Sequence, residues 1–139
     1  MKSSVRGSPD VSALASLDKN KMAVFVWHYH DDDLPGPDAA IQLSLNNLPF
    51  ASGEATLIQY RIDADHSNSY ATWLKMGSPL PLSAEQYAQL EKTGQLAEAE
   101  PSKDIRVKNG SANFQFRLPR QAVSLFIIAW KRDYAPTKQ

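Results

Sequence analysis

The stretch Asp104–Leu118, "DIRVKNGSANFQFRL", decides how the rest of the chain is read. Asn109-Gly110 sits between two alternating runs. Both residues accept positive φ, which makes the pair the strongest short signal for a β-hairpin turn. After the turn, Phe114, Phe116 and Leu118 face one way while Gln115 and Arg117 face the other, the period of a half-buried strand. Pro119 breaks that run, and "AVSLFIIAW" (122–130) follows as a last, strongly apolar strand.

Moving outward from this pair, the same period recurs. "AIQLSL" (40–45) puts Ile41, Leu43 and Leu45 on one face, and "EATLIQYRID" (54–63) places Thr56, Ile58, Tyr60 and Ile62 together. "VSALASL" (11–17) and "MAVFVWHYH" (22–30) are joined by the tight turn "DKN" and read as a hairpin. The second of these is apolar on both faces, with Val24 and Val26 on one and Phe25, Trp27 and Tyr29 on the other. Such a strand is central, or is covered by another domain. The spacing predicts an immunoglobulin-like antiparallel β-sandwich of about seven to eight strands, without the cysteine pair of a true immunoglobulin domain.

One insert departs from this pattern, from His66 to about Glu100. "SNSYATWLKMG" puts Tyr70, Trp73 and Leu74 at helical spacing, with Gly77 to end the turn. Asp65, Ser67 or Asn68 can cap that helix. Ser83 and Gln86 match a capping box, Tyr87 and Leu90 form a one-sided stripe, and Gly94 is a natural stop. The result is a helix–loop–helix set between two strands, and insertions of this size are often functional or interfacial. The expected organisation is a polar leader at 1–8, the sandwich at 9–131 and a tail at 132–139.

Composition narrows the function. With 139 residues the chain suggests one domain with a real core. Its 15 basic and 15 acidic residues cancel, so the basic excess of a nucleic-acid binder is missing. No apolar run reaches the ~18 residues that span a bilayer. "MKSSVRGSPD" has no apolar core and does not read as a signal peptide; it reads as a leader or as the point where a longer chain was cut. The absence of cysteine excludes disulfides and thiolate chemistry. Such a chain suits the cytoplasm and equally a periplasmic or secreted life.

"WHYHDDDLPGPD" (27–38) crowds His28, His30, Asp31, Asp32 and Asp33 together. On a strand the two imidazoles point the same way and are able to hold one ion, but no third ligand cluster follows, so no metal is expected. Adjacent carboxylates diverge along an extended chain, which speaks for turn capping and salt bridging over acid–base work. His66 beside Asp63 or Asp65 imitates a catalytic pair, yet no cysteine or activated serine accompanies it. Sugar contact through Trp27, Tyr29, Tyr70, Trp73 and Trp130 competes with core or interface packing, the commoner fate of large aromatics. No Gly-rich phosphate loop is present, and no cofactor is expected.

Four segments in order, "VWHYHDDDLPGPD", "YRIDADHSNSYATWLKMGSP", "SAEQYAQLEKTGQL" and "FQFRLPRQAVSLFIIAW", resemble the C-terminal accessory region of glycoside hydrolase family 39, its bacterial β-xylosidase branch above all. That family also contains α-L-iduronidases. The resemblance spans about Pro9 to Trp130. His28 stands where the family pattern "W-N-Y-H" has Asn. Members are retaining glycosidases with catalytic glutamates on a (β/α)8 barrel. The five glutamates here, Glu54, Glu85, Glu91, Glu98 and Glu100, fall in no Asn-Glu-Pro setting, so no catalytic residue carries over. The resemblance implies a non-catalytic accessory domain whose partner is a (β/α)8 catalytic domain; xylo-oligosaccharide is a second candidate partner. The alternatives are a free-standing carbohydrate-binding module and a truncated product acting as a structural domain. His28, His30, Asp31, Asp32, Asp33, His66, Tyr70 and Trp73 are the expected interdomain or sugar contacts. An apolar patch is expected at Tyr70, Trp73 and Leu74 and in the loop after His30.

Overall fold

The computed structural model describes residues 10–31 and 34–131. The expected leader and tail, and Asp32 and Asp33, lie outside the described residues. Seven strands and two helices follow in the order β1 (Asp10–Leu17), β2 (Lys21–Tyr29), β3 (Ala39–Leu45), β4 (Gly53–Ile62), α1 (Ser69–Lys75), α2 (Ala84–Thr93), β5 (Ala97–Val107), β6 (Ala112–Leu118) and β7 (Ala122–Ala129). They form an antiparallel β-sandwich of uneven sheets. One has five strands in the order β1-β2-β7-β4-β5, and the other pairs β3 with β6.

The core lies between the sheets and follows the alternation of each strand. On β7 every second residue is buried. Val24 and Val26 of β2, Leu57 of β4, Val107 of β5 and Phe126 and Ile128 of β7 meet Leu45 of β3 and Leu118 of β6. Phe126 is the hub, 1% exposed, with Phe114 and Phe116 of the small sheet tilted against it at 5.3 and 4.7 Å. Phe50 and Trp130 close one end of the sandwich, their rings 5.2 Å apart.

The hairpin expected around Asn109-Gly110 is corrected. The turn itself forms, with φ of 51° and 68° at the two residues and Lys108 paired to Ser111. The strands then part, β5 remaining on β4 and β6 crossing to β3. The turn backbone is held by the loop between β3 and β4: Leu48 N–H donates to Gly110 O at 2.9 Å and Gly110 N–H to Ala51 O at 2.7 Å. Val107 and Ala112, on either side of the turn, are both buried in the core. Burying both apolar flanks between two sheets outweighs extending one short ladder.

The insert is shorter than expected, because β5 begins at Ala97 and not after Glu100. Ala97 and Glu98 are weak strand formers, but they pair with Arg61 and Tyr60 of β4, and tertiary pairing overrides so small a preference. The Ser83–Gln86 capping box is present in both directions. Gly77 takes the left-handed conformation at φ 85°, whereas Gly94 caps α2 with an ordinary φ of −82°. Among the described residues no helix is long and apolar enough to cross a membrane.

Candidate functional site

Two polar knots and two apolar surfaces stand out around the helical end of the sandwich. The first knot joins the end of β2 to the turn between β6 and β7. That turn closes through Ala122 N–H to Pro119 O, with Gln121 at φ 57°. The Gln121 carboxamide then clamps the backbone of His30, donating to His30 O at 2.7 Å and accepting from His30 N–H at 3.4 Å. In this way it ties down the chain two residues beyond the last β2–β7 pair, His28 with Ala122.

His28 lies on the inner face of β2 and is 1% exposed. Its Nδ1 is 2.9 Å from Leu118 O, and its Nε2 is 3.0 Å from Nε2 of His30. The protons follow from elementary chemistry. A carbonyl only accepts, so Nδ1 of His28 carries hydrogen and Nε2 is bare in the neutral ring. Nε2 of His30 therefore donates, and Nδ1 of His30 accepts from Nη2 of Arg120. Arg120 also donates from Nη1 to Leu34 O at 2.7 Å. A side chain at Gly36 would stand 2.6 Å from Cδ of Arg120, so the Pro-Gly-Pro loop lies directly on the arginine.

This arrangement defines what His28 does within the domain. Buried and bonded through both ring nitrogens, it fixes the β2 terminus to β6 and offers no surface to a partner. Two imidazole nitrogens 3.0 Å apart resemble half of a metal site. Ligation through Nε2 of His30 would, however, leave N–H on Nδ1, pointing at a guanidinium that can only donate. Among the described residues no group of three or more His, Asp or Glu is placed to hold an ion. Asp31 is exposed; Asp32 and Asp33 lie outside the described residues.

The second knot is the root of the insert. Oδ1 of Asp63 accepts from the backbone N–H groups of Asp65 and His66 and meets Nδ1 of His66, each at 2.8 Å. Partial burial raises the Asp63 carboxyl. The His66 side chain and the two backbone N–H groups outweigh it and hold the group below the ordinary aspartate value. Ser67 donates to Arg61 O at 2.7 Å and accepts from Ala97 N–H at 2.8 Å, so one hydroxyl ties the end of β4 to the start of β5. Asn68 caps α1, accepting from Ala71 N–H at 2.9 Å. The Asp63–His66 pair thus serves turn formation.

Above this root the two helices pack on each other without burying a single residue. Tyr70 is 64% exposed and Leu74 and Tyr87 are exposed, as is Leu34 in the loop after His30. Trp73 is half-buried; its Nε1 donates to Pro79 O at 3.2 Å, and its ring lies 5.8 Å from that of Tyr70.

A larger apolar surface covers the outer face of the five-stranded sheet. Register places Leu14, Phe25, Leu125 and Tyr60 in one row across β1, β2, β7 and β4. Trp27, Val123 and Ile62 form the row on one side, and Ala23, Ile127 and Ile58 the row on the other. Leu14 is 67% exposed, Ile62 47% and Phe25 41%, and the remaining seven residues of these rows are half-buried. Sequence reading noted both apolar faces of β2 but missed Arg120 and Gln121, which lie about ninety positions from His30. The signal was that β2 and β7 are the two most apolar strands. Central strands pair, and their flanking residues then meet.

No family model matches the chain. Its fold is similar to part of several solved glycoside hydrolases. The family 39 enzyme from Xanthomonas axonopodis pv. citri superposes with a TM-score of 0.71 at 18% identity, over 84% of this chain and 25% of its own. A monomeric β-xylosidase from Caulobacter crescentus CB15 gives 0.67 at 17% identity, over 84% and 26%. A bacterial orthologue of human α-L-iduronidase gives 0.72 at 15% identity, over 90% and 23%. The chain therefore spans about a quarter of the length of these enzymes.

Proposed function

We propose that this chain is a non-catalytic accessory β-sandwich of a family 39-like, β-xylosidase-type glycoside hydrolase. In this reading it packs against a (β/α)8 barrel lying outside these residues. The observation that carries the proposal is the outer face of the five-stranded sheet. A lone domain gains nothing from three apolar rows facing water, and patches of this kind mark interaction surfaces. The likeness to about a quarter of three glycosidase chains supports the choice of partner. The surface offered is the outer sheet face, with the exposed Tyr70 and Leu74 of the insert and Leu34 of the loop after His30 as further candidate contacts.

Catalysis is not expected from the chain alone. The purified chain should leave p-nitrophenyl β-xyloside unhydrolysed above a blank; clear turnover would overturn the reading. The folded chain should also bind an apolar dye, and Phe25→Asp combined with Leu125→Asp should remove most of that signal.

A second reading, a carbohydrate-binding module, rests on the Tyr70 and Trp73 rings, 5.8 Å apart and inclined by 30°. Titrating xylo-oligosaccharides against tryptophan fluorescence separates the two. A saturable change lost in Tyr70→Ala supports the module, and a flat response supports the accessory domain.

A further inference from the structure

The two edges of the five-stranded sheet are built to opposite specifications. β5 carries Glu98, Glu100, Lys103, Asp104 and Arg106, has Pro101 midway, and slips register against β4 between Leu57 and Gln59 and again between Gln59 and Tyr60. Charges, proline and bulges are the devices that stop another strand from adding to an edge. β1, at the other edge, has none of them from Val11 to Leu17, "VSALASL". It pairs with β2 through eight consecutive partners without a shift. All its residues but Val11 are exposed, Leu14 and Leu17 among them.

We propose that β1 is a strand-addition edge whose occupant is β1 of a second copy. The two strands run antiparallel across a two-fold axis at Leu14 and join two five-stranded sheets into one. The strand's own sequence argues for this occupant. A two-fold axis normal to the sheet keeps both outer faces on one side, so opposed residues come from the same face. With Leu14 against its own copy, Ser12 meets Ser16, Ala13 meets Ala15 and Val11 meets Leu17. Apolar side chains face apolar ones and hydroxyls face hydroxyls, the pairing that stabilises a ladder. The one like-charged pair, Asp10 with Asp18, falls at the solvated rim. The join also makes the row Leu14–Phe25–Leu125–Tyr60 continuous with its copy. Such an interface is isologous and closes at two subunits. Eight residues of edge bury less than the roughly 1,600 Å² of a standard stable interface, so the dimer is weak and reversible. This proposal stands independently of the accessory-domain reading.

Sedimentation equilibrium of the 139-residue chain over a range of concentrations should show a monomer–dimer equilibrium. Leu14→Lys and Leu14→Glu should each be folded by circular dichroism and monomeric, because like charges then oppose each other across the axis. Their equimolar mixture should dimerise again. Because the chain lacks cysteine, Leu14→Cys should form a disulfide dimer under oxidised glutathione. Leu17→Cys should not, since the register holds it about 20 Å from its own copy. The cysteine pair decides the matter if a charged variant fails to fold. A wild-type chain that stays monomeric throughout overturns the proposal. So do charged variants that dimerise like wild type, a Leu14→Cys chain that does not cross-link, and a Leu17→Cys chain that cross-links equally well.

Discussion

Phe126 and Leu125 are neighbours on β7, and they show how the two faces of one sheet differ. Phe126 is 1% exposed at the hub of the core. Leu125 is half-buried in a row that ends in the open at Leu14. Antiparallel sheets that cover a core on one side normally turn polar residues to water on the other. Here both sides are apolar, and among the described residues only one is packed into the core. The inner face holds the fold together, and the outer face is the surface on which the proposed interdomain contact rests. Apolar character alone thus does not say which surface stabilises a domain; what lies across from it does.

If that division is right, substitutions should matter in proportion to how far they open the inner face. Phe126→Ala empties the contact with Phe114 and Phe116 and should cost about 3–5 kcal/mol in urea unfolding. A cost under ~1 kcal/mol would break the comparison at its strongest point. Arg120→Met removes the donor to Leu34 O and to His30, where the inner face closes at its helical end. It should cost about 0.5–1.5 kcal/mol, the net worth of an ordinary hydrogen bond, because water reaches Leu34 O once the arginine is gone.

Acid supplies a third test, away from the apolar core. The Asp63 carboxyl is 9% exposed and held below its ordinary value. A depressed carboxylate contributes stability above the unfolded pKa, and that contribution disappears as pH falls through the folded one. The urea midpoint should therefore drop below about pH 4 in the wild type, and Asp63→Asn should flatten that part of the profile. An unchanged profile would detach the root of the insert from sandwich stability. The smallest effect belongs to the outer face. Phe25→Thr should shift stability by less than about 1 kcal/mol, the span of strand preferences at exposed sites. A loss matching that of Phe126→Ala would erase the distinction between the faces.

Much of this was readable from local pattern. Period-2 runs marked the strands, Ser83 and Gln86 announced their capping box, and Asn109-Gly110 formed the turn expected of it. What failed was inference across the turn. Local turn chemistry fixes φ at two residues but not which sheet receives the next strand, and that was settled by burying Val107 and Ala112 and by backbone bonds to Leu48 and Ala51. The start of β5 was hidden by poor strand formers and by a bulge that interrupts the alternation. At the candidate site, His28 and His30 were visible as a pair. Their meaning was not, because Arg120 and Gln121 reach them only once β2 and β7 lie side by side.

The single hydroxyl of Ser67, bonded to both Arg61 and Ala97, has a consequence for how this domain can diversify. It closes the β4–β5 gap below the helices, and no helical residue is buried. Everything between Asn68 and Leu96 is thus a cassette mounted on a finished frame. Helices can be lengthened, exchanged or remodelled there to suit a new neighbour without renegotiating the sandwich that carries them.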